Sequence, residues 1–249
     1  MIDNAVGIIG GLGPMATVYF YELVLSLTEA KRDQDHVNMV ILNHASIPDR
    51  TAYICGRSAD SPLPYMIADA KRLQTAGANF IVIPCNTAHY FFDEIENSVS
   101  IPVLNIVTET VGAAKRRYKN IRRVGVLATD GTVQTRTYEL ACEKAGLECV
   151  VPDEDVQAEL MDFIYGDIKA GKPVDKNKLE GFFEHLRSKG CGCIILGCTE
   201  LSVAKRDCRV TDRDVLDSLE VLALRTIEQC GKHIRTEFLQ RGDVECAVL

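Results

Sequence analysis

This 249-residue sequence has no long apolar run, no surplus of basic charge and no Cys-x-x-Cys pair. No uninterrupted apolar stretch approaches the ~18 residues that a membrane-spanning helix requires, so a helical membrane protein is excluded. Lys and Arg number 28 against 35 Asp and Glu, a formal net charge of −7. Phosphates attract cations, so this acidic balance argues against a nucleic-acid or anionic-membrane surface. Met1-Ile2-Asp3-Asn4 leads straight into a strand-like stretch without the pattern of a signal peptide, and the expected location is the cytoplasm. Ten cysteines are present, yet none forms a Cys-x-x-Cys pair. The spacing of Cys191, Cys193 and Cys198 matches no common zinc pattern. Free thiols in a reducing compartment are expected rather than a disulfide framework, most of them as small apolar residues in packed positions.

What is present is a globular composition, 47% hydrophobic and 25% charged, on a chain long enough for one large core or two lobes. Short β-rich runs alternate with helical segments, the pattern of an α/β protein with mainly parallel sheets flanked by helices. Strands are expected at 5–10, 38–43, 79–84 and 103–106, then at 123–128, 148–151 and 192–197. Helices are expected near 15–30, 64–76, 108–118, 132–145, 155–170 and 178–189. A long final helix is expected near 215–240, with Leu216, Leu219, Leu222, Ala223, Ile227, Ile234 and Phe238 along one face. The two halves echo each other. GIIGGLGPMAT from Gly7 and GVLATDGTVQT from Gly125 each pass from a glycine-containing strand into a polar turn. At similar intervals each half then reaches a strand ending in cysteine, PCNT at Cys85 and GCTE at Cys198. The expectation is two related lobes with both cysteines at carboxyl ends of strands, the edge at which open α/β sheets bind ligands. Lobes that face each other would bring the thiols to opposite sides of one cleft.

Gly11-x-Gly13-x-x-Ala16 formally fits the dinucleotide fingerprint, but the next strand ends in Asn43 rather than in an acid able to hold a ribose. Pro14 suits the first turn of a helix, whose free N–H groups receive a small anion such as a carboxylate equally well. The two thiols point to more specific chemistry. One thiolate can remove a proton from one face of a carbon while the opposite thiol supplies a proton to the other face, inverting the centre. A thiol with a reference pKa of about 8.5 needs only a modest downward shift to act near neutral pH, and helix N-termini beside strand ends supply one. Amides and hydroxyls of Asn86, Thr87, Thr129, Thr132 and Thr199 are candidates for holding a substrate carboxylate and the enolate-like charge that develops. The scheme calls for no metal and no organic cofactor.

The motifs GGLGPMAT, IPDRT, PCNTAH and GCTE, in this order and spacing, resemble those of the PLP-independent aspartate/glutamate racemase superfamily, with the aspartate racemase branch the better fit. The resemblance extends over nearly the whole chain. It implies two α/β lobes related by a pseudo-twofold axis, an active site between them, an acidic amino acid as substrate and a homodimer. It also implies that the last helix returns to the first lobe, so the lobes are expected at 1–107 plus 212–249 and at 108–211. Carried over motif by motif, Cys85 and Cys198 are the paired proton donors and acceptors. Arg50, in IPDRT, matches an arginine that binds a substrate carboxylate, a task suited to its fork of donors. Asn86, Thr87 and Ala88 match the turn against the substrate, and Lys169, in GDIKAG, matches a lysine on the distal carboxylate. Glutamate racemases open with an Asp-Ser motif and carry histidine after the second Cys-Thr. Here GGLGPMAT and Glu200 stand in those places, which favours aspartate, and the presence of both thiols implies reversible racemisation.

His89, one helical turn past Cys85, is expected to satisfy a local hydrogen bond rather than to act on the substrate. Glu200 is a candidate for orienting a neighbour or adjusting the potential at Cys198. Asp130 and Gly131 are expected to shape the loop that presents Thr129 and Thr132. The tail RGDVECAVL, with Cys246, is given no role. Three other readings are carried: the same site acting on glutamate or a broader range of amino acids, a non-catalytic metabolite-binding protein with the same cleft, and a NAD-binding oxidoreductase resting on the glycine loop alone.

Overall fold

A computed structural model of the chain describes residues 4–236. The first half runs β1 (Val6–Gly10), α1 (Pro14–Leu27), β2 (Met39–Asn43), α2 (Arg50–Ile54), α3 (Leu63–Thr75), β3 (Phe80–Val82), α4 (Phe92–Glu96), β4 (Val103–Leu104) and α5 (Ile106–Arg117). The second runs β5 (Arg123–Leu127), α6 (Asp130–Gln134), α7 (Thr137–Ala145), β6 (Glu148–Val150), α8 (Glu154–Asp162), α9 (Lys176–Ser188), β7 (Cys193–Leu196), α10 (Thr199–Asp207), β8 (Val215–Asp217) and α11 (Ser218–Gln229). Each half builds a four-stranded parallel sheet. The strand orders, β2-β1-β3-β4 and β6-β5-β7-β8, are one topology used twice, so the two-lobed α/β fold expected from the sequence is the fold observed.

The repetition extends to register. Gly7 pairs with Ile81 on β3, and Gly125 pairs with Ile194 on β7. Cys85 and Cys198 each stand four residues beyond those partners, at matching points past the strand ends. Both glycines mark the close approach of a helix. A Cβ at Gly7 would lie 3.0 Å from Leu73 Cβ on α3, and one at Gly125 would lie 3.0 Å from Leu186 Cβ on α9. At these distances the packing of helix on strand admits only hydrogen.

One core spans both lobes. Ile8 and Phe20 from the first and Val126 and Ile195 from the second join Val107 and Val111 of α5 and Leu219 and Leu222 of α11 in a single cluster. Each lobe also has its own outer core, around Leu73 and Ile81 in the first and Phe183 and Ile194 in the second. α11 packs against α1 and α5.

Several elements differ from the sequence expectation. Val215–Asp217 is not the start of the final helix but a strand paired with β7, so the second sheet continues past the boundary drawn at 211. Leu216 happens to fit the helical spacing because, as a strand residue, it faces the same shared core. Asp217 then caps α11, its carboxylate accepting from the N–H groups of Leu219 and Glu220. α11 stops at Gln229, and Ile234 forms an isolated antiparallel bridge with Thr28. Phe238 and Cys246 lie outside the described residues. The helix expected over 132–145 is two helices, broken at Arg136, whose φ of 54° is left-handed. The helix expected over 155–170 is α8 followed by a π-helical turn, Phe163–Ile168.

Candidate active site

Cys85 and Cys198 line one cavity between the lobes, together with Arg50, Asn86, Thr87, Thr129, Lys169 and Thr199 from the sequence expectation. Ala88 and Thr132 do not line it. Ala88 is turned inward and fully buried in the first lobe's own core, and Thr132 lies behind Thr87, bonded to its hydroxyl. Leu12, Asp49, Thr51 and Tyr165 line the cavity without having been singled out in the sequence.

Cys198 occupies the N-cap position of α10, and its thiol donates to Glu200 Oε2 at 3.0 Å. Burial pushes this thiol well above the usual range and the Glu200 charge adds to the effect, while Lys169 and the Glu200 N–H pull less strongly the other way. Cys198 therefore holds its proton at neutral pH. Gly13 makes room for the carboxylate: a Cβ there would lie 2.9 Å from Glu200 Oε1. The glycine loop that imitates a nucleotide fingerprint thus serves the approach of a side chain from the opposite lobe.

Gly131 holds the place in the second lobe that Gly13 holds in the first, and a Cβ on it would lie 3.1 Å from Thr87 Cγ2. Glu200 and Thr87, each two residues past a cysteine, thus meet the corresponding glycine of the other lobe. The pseudo-twofold relation survives in the geometry while the chemistry differs, a carboxylate beside one thiol and a hydroxyl near the other.

Arg50 is buried. Its Nη2 donates to the Leu12 carbonyl at 2.7 Å and its Nη1 to the Pro48 carbonyl at 3.1 Å, which leaves a buried Nε–H without a partner among the described residues. Burial would loosen its proton, but Cys85 and Asp49 beside it outweigh that and hold the guanidinium above its ordinary range. Asp49 caps α2 by accepting from the Ala52 N–H at 2.7 Å, and the Tyr165 hydroxyl donates to it at 3.1 Å. Burial raises Asp49, but the Ala52 N–H, Lys169 and Arg50 together keep it below the usual carboxylate range. Burial pushes the Tyr165 hydroxyl up to about 12. Lys169 Nζ lies 3.7 Å from Glu200 Oε1, 3.8 Å from Asp49 Oδ2 and 4.2 Å from the centre of the Tyr165 ring. Burial favours loss of its proton, yet Glu200 and Tyr165 more than offset this and the ammonium is held above its usual range.

The remaining polar groups tie the lobes together. Thr87 Oγ1 lies 2.9 Å from Thr129 Oγ1 and 3.0 Å from Thr132 Oγ1, and Thr51 Oγ1 donates to Thr129 Oγ1 at 3.1 Å. Two hydroxyls from each lobe form one buried cluster. Asn86 is engaged at both ends of its amide, donating to Ser218 Oγ at 3.0 Å and accepting from the Tyr138 hydroxyl at 2.7 Å. His89 accepts the Ile106 N–H on Nε2 at 3.2 Å, so its Nδ1 carries the proton and donates to the Cys85 carbonyl at 2.9 Å. Burial lowers this imidazole to about 4. His89 is a neutral brace for the turn at Cys85, as the sequence reading expected. Among the described residues no cluster of His, Cys, Asp or Glu is arranged to hold a metal ion.

The cavity leaves about 10 Å³ for the centre of a water molecule, room for roughly one water. A ligand of amino-acid size enters only when a wall moves.

The model of the Asp/Glu/Hydantoin racemase family matches residues 9–226. The structure of aspartate racemase from Picrophilus torridus aligns with a TM-score of 0.81 and 30% identity, over 96% of this chain and 99% of that one. RacX of Bacillus subtilis (strain 168), a broad-specificity amino-acid racemase, is 28% identical over 236 residues, covering 89% of this chain and 96% of its own length. Glutamate racemase of Aquifex pyrophilus is 26% identical over 173 residues, 68% of this chain and 65% of its own.

Proposed function

Because the chain belongs to the Asp/Glu/hydantoin racemase family, we propose that it interconverts L- and D-aspartate by proton transfer at Cα between two cysteines, without a cofactor. The observation that carries this reading is the pair of thiols at matching strand ends of two topologically identical sheets, both lining one small cavity. In the resting enzyme Cys198 is the acid, its proton held by burial and by Glu200. Cys85, beside the buried Arg50 guanidinium, is the base. The Cys85 thiolate takes the Cα proton, and Cys198 delivers its own proton to the opposite face. The enzyme is left with a thiol at 85 and a thiolate at 198, ready for the reverse reaction. Arg50, with its unpartnered Nε–H, and Lys169 supply positive charge for the two substrate carboxylates. The amide groups that open α10 and the cavity-lining hydroxyls of Thr87 and Thr129 face the charge that develops as the proton leaves. An exposed apolar stripe on α1, Met15, Val18 and Tyr21, supports the expected homodimer.

The GGLGPMAT motif and Glu200 after the second Cys-Thr favour aspartate over its longer homologue. Similarity to RacX and to a glutamate racemase supports a second reading, in which glutamate or other amino acids are also turned over. Deuterium incorporation at Cα in D2O, measured for both enantiomers of aspartate and glutamate with protein freed of pyridoxal phosphate, decides between them. The expected result is exchange of both aspartate enantiomers, with glutamate slower by about tenfold or more, the effect of one misplaced methylene. No exchange with any acidic amino acid would falsify the racemase reading.

A further inference from the structure

The reactive cavity has a larger neighbour. A second space, about 540 Å³ on the same measure, adjoins it, and Asp49, Arg50, Lys169 and Glu200 line both. These four side chains are the partition between the two spaces. Three of them are anchored by hydrogen bonds: Arg50 to two main-chain carbonyls, Asp49 to the Ala52 N–H and the Tyr165 hydroxyl, Glu200 to the Cys198 thiol. Lys169 is held differently. Its contacts with Asp49 and Glu200, at 3.8 and 3.7 Å, are ion pairs longer than a hydrogen bond, and its third contact is a ring face. It also caps the π-helical turn Phe163–Ile168 and is followed by Gly171 with φ 71°, a backbone outside regular helix on both sides.

We propose that the amino acid reaches the thiols through this larger space and that Lys169 is the movable partition, swinging aside to join the two cavities and closing again on the bound ligand. The identity of the ligand rests on the racemase reading; the route to the thiols does not. Two observations support such a partition: the reactive cavity has room for about one water, and an adjoining space large enough for an amino acid shares with it a wall of four side chains, of which Lys169 alone is held by ion pairs longer than a hydrogen bond. A substrate carboxylate that replaces Asp49 or Glu200 as the partner of the ammonium draws Lys169 back over the site, so loading and closure are one exchange of ion partners.

The test measures alkylation of Cys85 and Cys198, resolved by peptide mass spectrometry, with small iodoacetamide and bulky N-phenylmaleimide. The native protein should react slowly, and far more slowly with the maleimide. Lys169→Ala also removes a charge that favours the Cys198 thiolate, which affects both reagents alike. The readout is therefore their ratio: the maleimide rate relative to iodoacetamide should rise about tenfold, the change expected for loss of two weak ion pairs. Ala45 is exposed and lines only the larger space, so Ala45→Trp should fill that route and slow both reagents while leaving thermal stability unchanged. If Lys169→Ala leaves that ratio unchanged, or Ala45→Trp leaves the rates at both thiols unchanged, the proposal is overturned; should Lys169→Ala fail to fold, Ala45→Trp decides alone. Rates that follow the prediction in a protein with no Cα exchange would keep the route and remove the racemase reading.

Discussion

At the scale of single residues, the two thiols occupy equivalent positions but are not chemically equivalent, and Glu200 is the cause. Its carboxylate accepts from Cys198 at 3.0 Å, whereas the matching residue beside Cys85 is Thr87. Replacing Glu200 with Gln removes a negative charge and keeps the shape. The Cys198 thiol should then ionise at lower pH, though burial, the larger cause, keeps it above the ordinary thiol range. The pH profile of Cys198 alkylation reads this directly, and an unshifted profile in Glu200→Gln would contradict the assignment. His89 gives a second residue-scale prediction. Its pKa falls from 6.5 in the unfolded chain to about 4 in the folded one, so between those values the unfolded state binds more protons. Its contribution to stability is complete above pH 6.5 and is lost as pH falls toward 4, at up to about 1.4 kcal/mol per pH unit and ~3 kcal/mol in all. Urea midpoints across this window should fall less steeply in His89→Gln than in the native protein.

At the scale of elements, glycine decides how closely helices lie on strands. Gly125→Ala would set a methyl 2.8 Å from Leu186 Cδ1 and 3.0 Å from its Cβ, so α9 must lift from β5. A loss of about 1–3 kcal/mol in denaturant unfolding is expected, of the size seen for overpacked cores. Gly7→Ala meets Leu73 Cβ and Ala78 Cβ at 3.0 Å and should cost a comparable amount. The sequence revealed these elements where one signal dominated. Seven strands stand out in the sequence near their observed positions, most clearly the apolar runs β1, β3 and β7, which are buried along their whole length. Elements were misread where two signals overlapped. Leu216 satisfies the helical period of α11 although Val215–Asp217 is a strand, because strand and helix bury their apolar residues in the same core. The π-helical turn that ends at Ile168 looks like plain helix in the sequence, since side-chain spacing does not report a change in hydrogen-bond ladder.

At the scale of the molecule, the fold is one unit used twice and joined by a shared core and by polar struts beside the site. Tyr138 in the second lobe donates to Asn86 in the first, and both are buried. Tyr138→Phe leaves the Asn86 carbonyl oxygen without this donor, and a cost of about 1–3 kcal/mol in thermal or denaturant unfolding is expected. The internal repeat in the sequence foretold the matching sheets and the matching cysteines, because the repeat is what brings both strand ends to the interface. Contributions from the intervening loops were not legible. Asp49 and Tyr165 reach the cavity only through the folding of α2 and the π-helical turn, and no local pattern marks them. The loss of Ala88 and Thr132 from the site has the same origin, since the order of residues along a turn does not say which side chain faces inward.

The central claim is that one carbon is handled from both sides by two different sulfurs. Racemisation of L- and D-aspartate by Cys85→Ala and by Cys198→Ala, each checked for native-like folding, tests it most directly. Both variants should lose interconversion in both directions. Near-native turnover by either one, in either direction, would show that a single sulfur suffices and would contradict the account.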